Sequence, residues 1–186
     1  MSQKETAILD AASTLFSAKG YHAVGVDAII SQSNVAKMTF YKYFPSKEFL
    51  IESVLVRQDQ KLRVNILESV ARKKNAMTKI KAIFDWYEIW LSSPEFRGCM
   101  FIKASEEYPK IGTKIRAISL AHKDWLADII SSFLKDYGVS SPEPLSNLIL
   151  MLLDGLTVRE NMQDNLEKGH VKVAWGYTKK LITAST

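Results

Sequence analysis

Read for its apolar positions alone, the chain is a succession of helices. Ile8, Ala11, Ala12, Leu15 and Phe16 recur at helical spacing and predict a first helix over Ser2 to Lys19, stopped by Gly20 in the C-cap role. Leu50, Val54, Leu62, Ile66 and Val70 give one face to a long helix from Ser46 to about Lys73. Ile80, Ile83, Phe84, Tyr87, Trp90 and Leu91 do the same for a helix opened by Asn75 or Ala76 and closed ahead of Pro94. Phe96 to Ile102 leads a short helix that ends in Glu106-Glu107-Tyr108-Pro109, where the two carboxylates read as a solvated helix end. Ile111, Ile115, Ile118, His122, Trp125, Ile129 and Phe133 step along one face of the next, which ends near Gly138. Ser140-Ser141-Pro142-Glu143-Pro144 punctuates the chain and starts a helix from Leu145 to about Asn161. Its Leu148, Ile149, Met151, Leu152, Leu153 and Leu156 are apolar most of the way round, the pattern of a helix buried on more than one side. A last helix runs from about His170 through Val171, Ala174, Tyr177, Leu181 and Ile182. Strand-like alternation is nearly absent, so the pattern predicts an all-α chain of about nine helices.

The most informative stretch is Val26 to Lys47. Two short helical segments flank a break at Ser31–Asn34, and Asn is, after Gly, the residue that most readily takes the left-handed conformation of a tight turn. The second segment, from about Val35 to Phe44, presents Lys37, Thr39, Tyr41 and Lys42 and halts at Pro45. Ser46 is a good N-cap for the long helix beyond it. This is the local grammar of a helix-turn-helix, whose second helix enters the DNA major groove.

Composition narrows the classes. Of the 186 residues 47% are apolar, ample for a buried core, and a net charge of +5 suits a polyanionic partner without requiring one. One cysteine excludes an internal disulfide framework and fits a reducing, cytoplasmic setting; Cys99 reads as a small buried hydrophobe. Lys4, Glu5 and Asp10 interrupt the N-terminal apolar pattern, so no signal peptide is expected, and no apolar run reaches the ~20 residues of a membrane helix. Metal chemistry has little support: Glu167-x-x-His170 straddles Gly169, and a di-iron bundle needs two such pairs on helices. His122 sits in an apolar stripe and reads as a hydrogen-bonded core histidine, with ligand binding as its alternative.

The run LFSAKGYHAVGVDAIISQSNVAKMTFYKYFPSKEFLI resembles the N-terminal domain of the TetR/AcrR family of transcriptional repressors. Phe16, Gly20-Tyr21, Val26 with Asp27 and Ile29, Val35, Thr39, Tyr41, Phe44 and Ser46-Lys47 before Leu50 carry the resemblance, in order and without gaps. Three positions depart from it. Gly25 replaces the usual Ser or Thr cap and loses its phosphate contact, Asn34 replaces the turn Gly, and Ile30 replaces a small Ala. The resemblance implies a helix-turn-helix DNA-binding domain over 1–47 and a helical regulatory, ligand-binding and dimerisation domain over 48–186. Lys37, Met38 and Thr39 lie early in the reading helix, where Lys can donate to guanine and the Met and Thr methyl groups can touch a thymine methyl. Tyr41, Tyr43 and Lys47 match the family's phosphate-contacting positions, with Lys42 beside them, whereas Phe40 and Phe44 read as core. Net charge steers weakly, since Met1 to Leu50 holds five lysines against four acids.

In such proteins the C-terminal helices enclose a small-molecule pocket often lined by large aromatics, so the resemblance makes Trp86, Trp90, Phe101, Trp125 and Met151 the candidate ligand-binding residues. An aromatic stripe is equally well read as plain core. The basic stretch from Arg57 to Lys81 reads as a solvated face, with a second nucleic-acid surface as its alternative. The last two helices, packed on their copies, would form a four-helix dimer interface, with Gly155 and Ala174 allowing close approach. The expected molecule is a homodimeric repressor, bound to a pseudo-palindrome of double-stranded DNA and released by a small-molecule effector, with no cofactor and no membrane. Two other classes stand beside it. A small all-α enzyme lacks any nucleophile elbow, phosphate-binding Gly loop or paired acid–base set in the sequence. A helical interaction protein without DNA binding is at odds with the intact Lys37, Thr39, Tyr41 and Lys47.

Overall fold

Local signals set the helix limits. The computed structural model describes residues 1–163 and 169–186, and among these it holds nine α-helices and no strand. They are α1 (Gln3–Lys19), α2 (Val26–Ser33), α3 (Lys37–Tyr43), α4 (Lys47–Ala71), α5 (Ala76–Leu91), α6 (Met100–Glu107), α7 (Lys114–Tyr137), α8 (Pro142–Asn161) and α9 (His170–Ala184). At α1 the Ser2 hydroxyl accepts from Glu5 N at 3.2 Å and the Glu5 carboxylate accepts from Ser2 N at 3.2 Å, a reciprocal capping box. Asn75 and Thr78 form the same arrangement ahead of α5. Pro142 is the first residue of α8, where its missing N–H costs nothing. Helix α7 starts three residues after the apolar stripe does. Gly112, with φ +82°, breaks the chain beyond Ile111 and leaves that side chain almost bare.

Two compact units divide the described chain: Met1–Lys61 with Cys99–His122, and Leu62–Gly98 with Lys123–Thr186. Helices α4 and α7 each run through both units, so compactness divides the chain at other places than the division 1–47 and 48–186 expected from the sequence.

In the first unit α1, α2 and α3 pack on one another. Ile8, Leu9, Ala12, Phe16, Tyr21, Val24, Ile29, Phe40, Phe44, Leu50 and Ile51 are all buried, and each large apolar side chain removed from water contributes about 1.5–3 kcal/mol. His122 is buried as well, stacked on Phe101 with ring centroids 3.9 Å apart and hydrogen-bonded through Nδ1 to Asp59 at 2.8 Å. Cys99 is a buried free thiol.

The second unit is built on α5, α8 and α9 with the flanking parts of α4 and α7. Its core joins Ile66, Val70, Ile80, Ile83, Phe84, Tyr87, Leu126, Ile130, Leu134, Ile149, Leu153 and Ile182. One face of α8 enters this core through Leu145, Ile149, Leu153 and Leu156, while Leu148, Met151, Leu152 and Val158 stay exposed. On α9, Val171, Ala174 and Ile182 point inward, and Val173, Tyr177 and Leu181 are exposed. Ala174 therefore packs within its own protomer, whereas a Cβ added at Gly155 or Gly176 would meet no atom. Lys123 pairs with Asp154, and Glu160 on α8 pairs with His170 on α9 at 2.7 Å. No described helix is long and apolar enough to cross a membrane.

Candidate nucleic-acid interface

The turn between α2 and α3 is made by Asn34, the one non-glycine residue with positive φ among those described (φ 53°, ψ 40°). Its conformation is the left-handed one, which Asn adopts at less cost than other side-chain-bearing residues. Gly25 caps α2 through its extended backbone and supplies no side-chain bond. Beyond the turn, α3 is anchored by Phe40 and Phe44, both buried, with ring centroids 6.1 Å apart. Pro45 comes next, and the Ser46 hydroxyl accepts from Phe49 N at 3.1 Å to start α4.

With its two phenylalanines turned inward, α3 is left with one bare face. Lys37, Met38, Tyr41 and Lys42 are exposed and Thr39 is half-buried. Met38 is 82% exposed, which is unusual for so apolar a side chain and leaves a flexible thioether open to solvent at the start of α3. Lys37 is not idle: its Nζ lies 3.2 Å from Asp27 Oδ1 on α2, an exposed pair of little strength that a phosphate or base edge can compete with. The Tyr43 hydroxyl accepts from Ser2 Oγ at 2.8 Å and ties the end of α3 to the start of α1. Lys47 is half-buried, and its Nζ donates to His22 O at 3.4 Å. The seven residues singled out from the sequence thus share one surface segment, though Lys37, Tyr43 and Lys47 have their polar ends engaged within the protein.

Sequence reasoning missed the support behind this segment. Tyr21, in the turn between α1 and α2, is fully buried, and its hydroxyl donates to Met100 O at 2.9 Å. Burial, with smaller contributions from Cys99, Glu107 and Tyr108, pushes its phenol far above the ordinary value. Tyr108 is raised as well, chiefly by burial and then by the nearby Glu48 and Glu107 carboxylates. Glu107 accepts from the backbone of that same turn. The only signal for it in the sequence was a glutamate at a helix end, which is common to many solvated helices.

The candidate ligand residues are not brought together as one set. Trp86 and Trp90 stack on α5 with centroids 5.5 Å apart, and Phe96 meets Trp90 edge-on. Trp125 is covered by the Arg63 guanidinium at 4.7 Å. Phe101 belongs to the other unit, against His122. Met151 is 68% exposed, because α8 puts it opposite the inward Ile149 and Leu153. A cavity of about 230 Å³ on the second unit is lined by a different set, Lys81, Phe84, Asp85, Glu88, Val171, Lys172 and Trp175. The basic stretch is partly engaged close by: Arg57 with Asp10 at 2.6 Å, Lys81 with Asp85 at 2.7 Å, and Lys79 over the Phe133 ring. Among the described residues no group of three or more His, Cys, Asp or Glu could hold a metal. Glu167 lies outside the described residues.

Residues 8–54 match the model of the bacterial regulatory proteins of the tetR family. The chain is 31% identical over 162 residues to YuxN, an uncharacterised HTH-type transcriptional regulator of Bacillus subtilis, covering 84% of this chain and 53% of that protein. It therefore spans about half the length of that relative. It is 26% identical over 183 residues to the HTH-type transcriptional activator FasR of Mycolicibacterium smegmatis, covering 91% and 80% of the two chains. Among solved structures, a TetR-family transcriptional regulator from Streptomyces coelicolor superposes with a TM-score of 0.91 at 25% identity, over 98% of this chain and 95% of that one.

Proposed function

The chain belongs to the tetR family of bacterial regulatory proteins, and from that premise we propose that it is a cytoplasmic, ligand-responsive DNA-binding regulator that represses transcription as a homodimer. The observation that carries the reading is the state of α3: anchored from behind by Phe40 and Phe44, and bare where Lys37, Met38, Tyr41 and Lys42 point outward. Lys37, Met38 and Thr39 reach base edges, while Tyr41, Lys42, Tyr43 and Lys47 hold phosphates. Two copies about one turn of DNA apart, ~34–36 Å, would read a pseudo-palindrome.

The outward apolar faces of α8 and α9 support dimerisation. Leu148, Met151, Leu152, Val158, Val173, Tyr177 and Leu181 make an exposed surface that a second copy of the same two helices would cover. For the effector we propose the face of α5 that carries the half-buried Trp86 and Trp90. A ligand there would shift the dimer toward a state with wrongly spaced reading heads, by the ~1–3 kcal/mol typical of such coupling. One observation favours a second reading, activation: a relative aligned over most of both chains is named an activator. A promoter–reporter assay with and without the protein separates the two signs.

The test of the main reading is selection from a random duplex pool and then salt titration. The expected result is enrichment of a short palindrome, bound with an affinity that falls steeply and linearly on log–log axes with salt. Recovery of no preferred sequence would sink it.

A further inference from the structure

Glu107 closes α6, yet its carboxylate is not in open solvent. Oε1 accepts from Tyr21 N at 2.8 Å and Oε2 from His22 N at 2.5 Å, so both oxygens hold consecutive backbone N–H groups of the turn between α1 and α2. Hydrogen bonds to an ionised acceptor are short and about twice as strong as neutral ones. The turn is shaped to admit the carboxylate. Gly20 has φ +80°, and a Cβ placed on it would lie 2.6 Å from Oε1. The Glu107 carbonyl can only accept, so His22 Nε2 donates to it at 2.7 Å, and the same ring stacks on Tyr108 at 4.8 Å. Toward the start of α6, Met100 O accepts from the Tyr21 hydroxyl, and Lys103 Nζ donates to Ser17 O at 2.9 Å. Helix α6 therefore grips the end of α1 and the turn after it at three levels, and Glu107 makes the contact nearest α2.

We propose that Glu107 is a positioning residue of the DNA reader. Its carboxylate fixes the turn from Gly20 to Gly25, and that turn sets the angle at which α2 and α3 present Lys37, Met38 and Thr39. The proposal rests on the DNA-binding reading above. A contact that merely stabilises the fold would lower global stability and affinity in proportion; a positioning contact loosens the turn and α2 locally and lowers affinity out of proportion to global stability.

The substitution Glu107→Gln keeps the shape but leaves one acceptor oxygen and turns an NH2 group toward the second N–H. For the selected DNA, roughly tenfold weaker binding is expected, because the turn then holds the productive angle about a tenth of the time. The salt slope stays unchanged, since the number of phosphates contacted is the same. Gly20→Ala, which drives a methyl onto the same carboxylate, gives a similar loss, and the double variant loses no more than the worse single one. Without DNA, amide hydrogen exchange in Glu107→Gln rises at Tyr21 and His22 and also through α2 to Asn34. Binding of Glu107→Gln within about twofold of the parent overturns the proposal. So does exchange confined to Tyr21 and His22, or a melting temperature that drops in proportion to affinity. If the parent protein selects no DNA, the regulator reading fails on its own, and the exchange measurement still decides what Glu107 does.

Discussion

Tyr21 shows how much one side chain is asked to do. It fills the space beside Phe16, with ring centroids 5.0 Å apart, while its hydroxyl reaches Met100 O. Burial holds the phenol neutral well beyond its ordinary value of 10.0. The folded state favours the protonated form, so this contribution to stability is complete below that ordinary value and is lost as pH climbs above it toward the folded value. Tyr21→Phe keeps the ring and removes the ionisation. At neutral pH it should cost about 1 kcal/mol, the worth of one hydrogen bond. The variant's denaturation midpoint should also fall less than the parent's between neutral pH and about pH 11, which urea titrations at the two pH values would measure. Along the segment from α3 to the start of α4 the proposed roles separate cleanly. Thr39→Ala should flatten base preference at one operator position, whereas Lys47→Ala should weaken all sequences alike and lower the salt slope by about 1. Binding curves over a small set of mutated operators at three salt concentrations distinguish these outcomes.

At the scale of the element, the turn and the caps decide what the periodicity leaves open. Asn34 takes the place where glycine is the easiest choice, and its φ of 53° tolerates few other side chains. Asn34→Gly should change stability by only a few tenths of a kcal/mol, while Asn34→Val should cost about 1–2 kcal/mol through the left-handed penalty. Thermal denaturation of the two variants checks this, and equal losses would mean that the turn relaxes around the residue. Most helices could be read from spacing alone, because an amphipathic stripe and its end signals lie within a few residues of each other. The start of α7 could not, since Ile111 continues the stripe on paper while Gly112 breaks the helix in fact. Helix α8 posed a different problem. Its apolar residues surround it, and spacing alone does not say which face its own protomer covers.

For the whole molecule the open question is what lies on the outer faces of α8 and α9. Met151, expected from the family resemblance in a ligand site, is instead among the exposed residues of that surface. Met151→Glu should leave the protomer folded, because nothing in its core is altered, and should shift a dimer toward monomer. Light scattering after gel filtration reads the mass, and DNA affinity should fall with it, since two reading heads would no longer be linked. A variant that stays as associated as the parent would remove these helices from the interface.

The amino-acid sequence by itself determined the helices, the helix-turn-helix and the family, because each rests on neighbours a few positions apart: apolar spacing, a turn-forming Asn34, a halting Pro45. Only the tertiary structure decided the occupation of each polar end. Glu107 reaches Tyr21 across 86 positions of chain, Lys37 meets Asp27, Lys47 meets the His22 carbonyl, and Met151 faces away from its own core. Helical periodicity says which residues share a face. The surroundings of that face depend on chain segments brought together by folding, and local spacing carries no record of them.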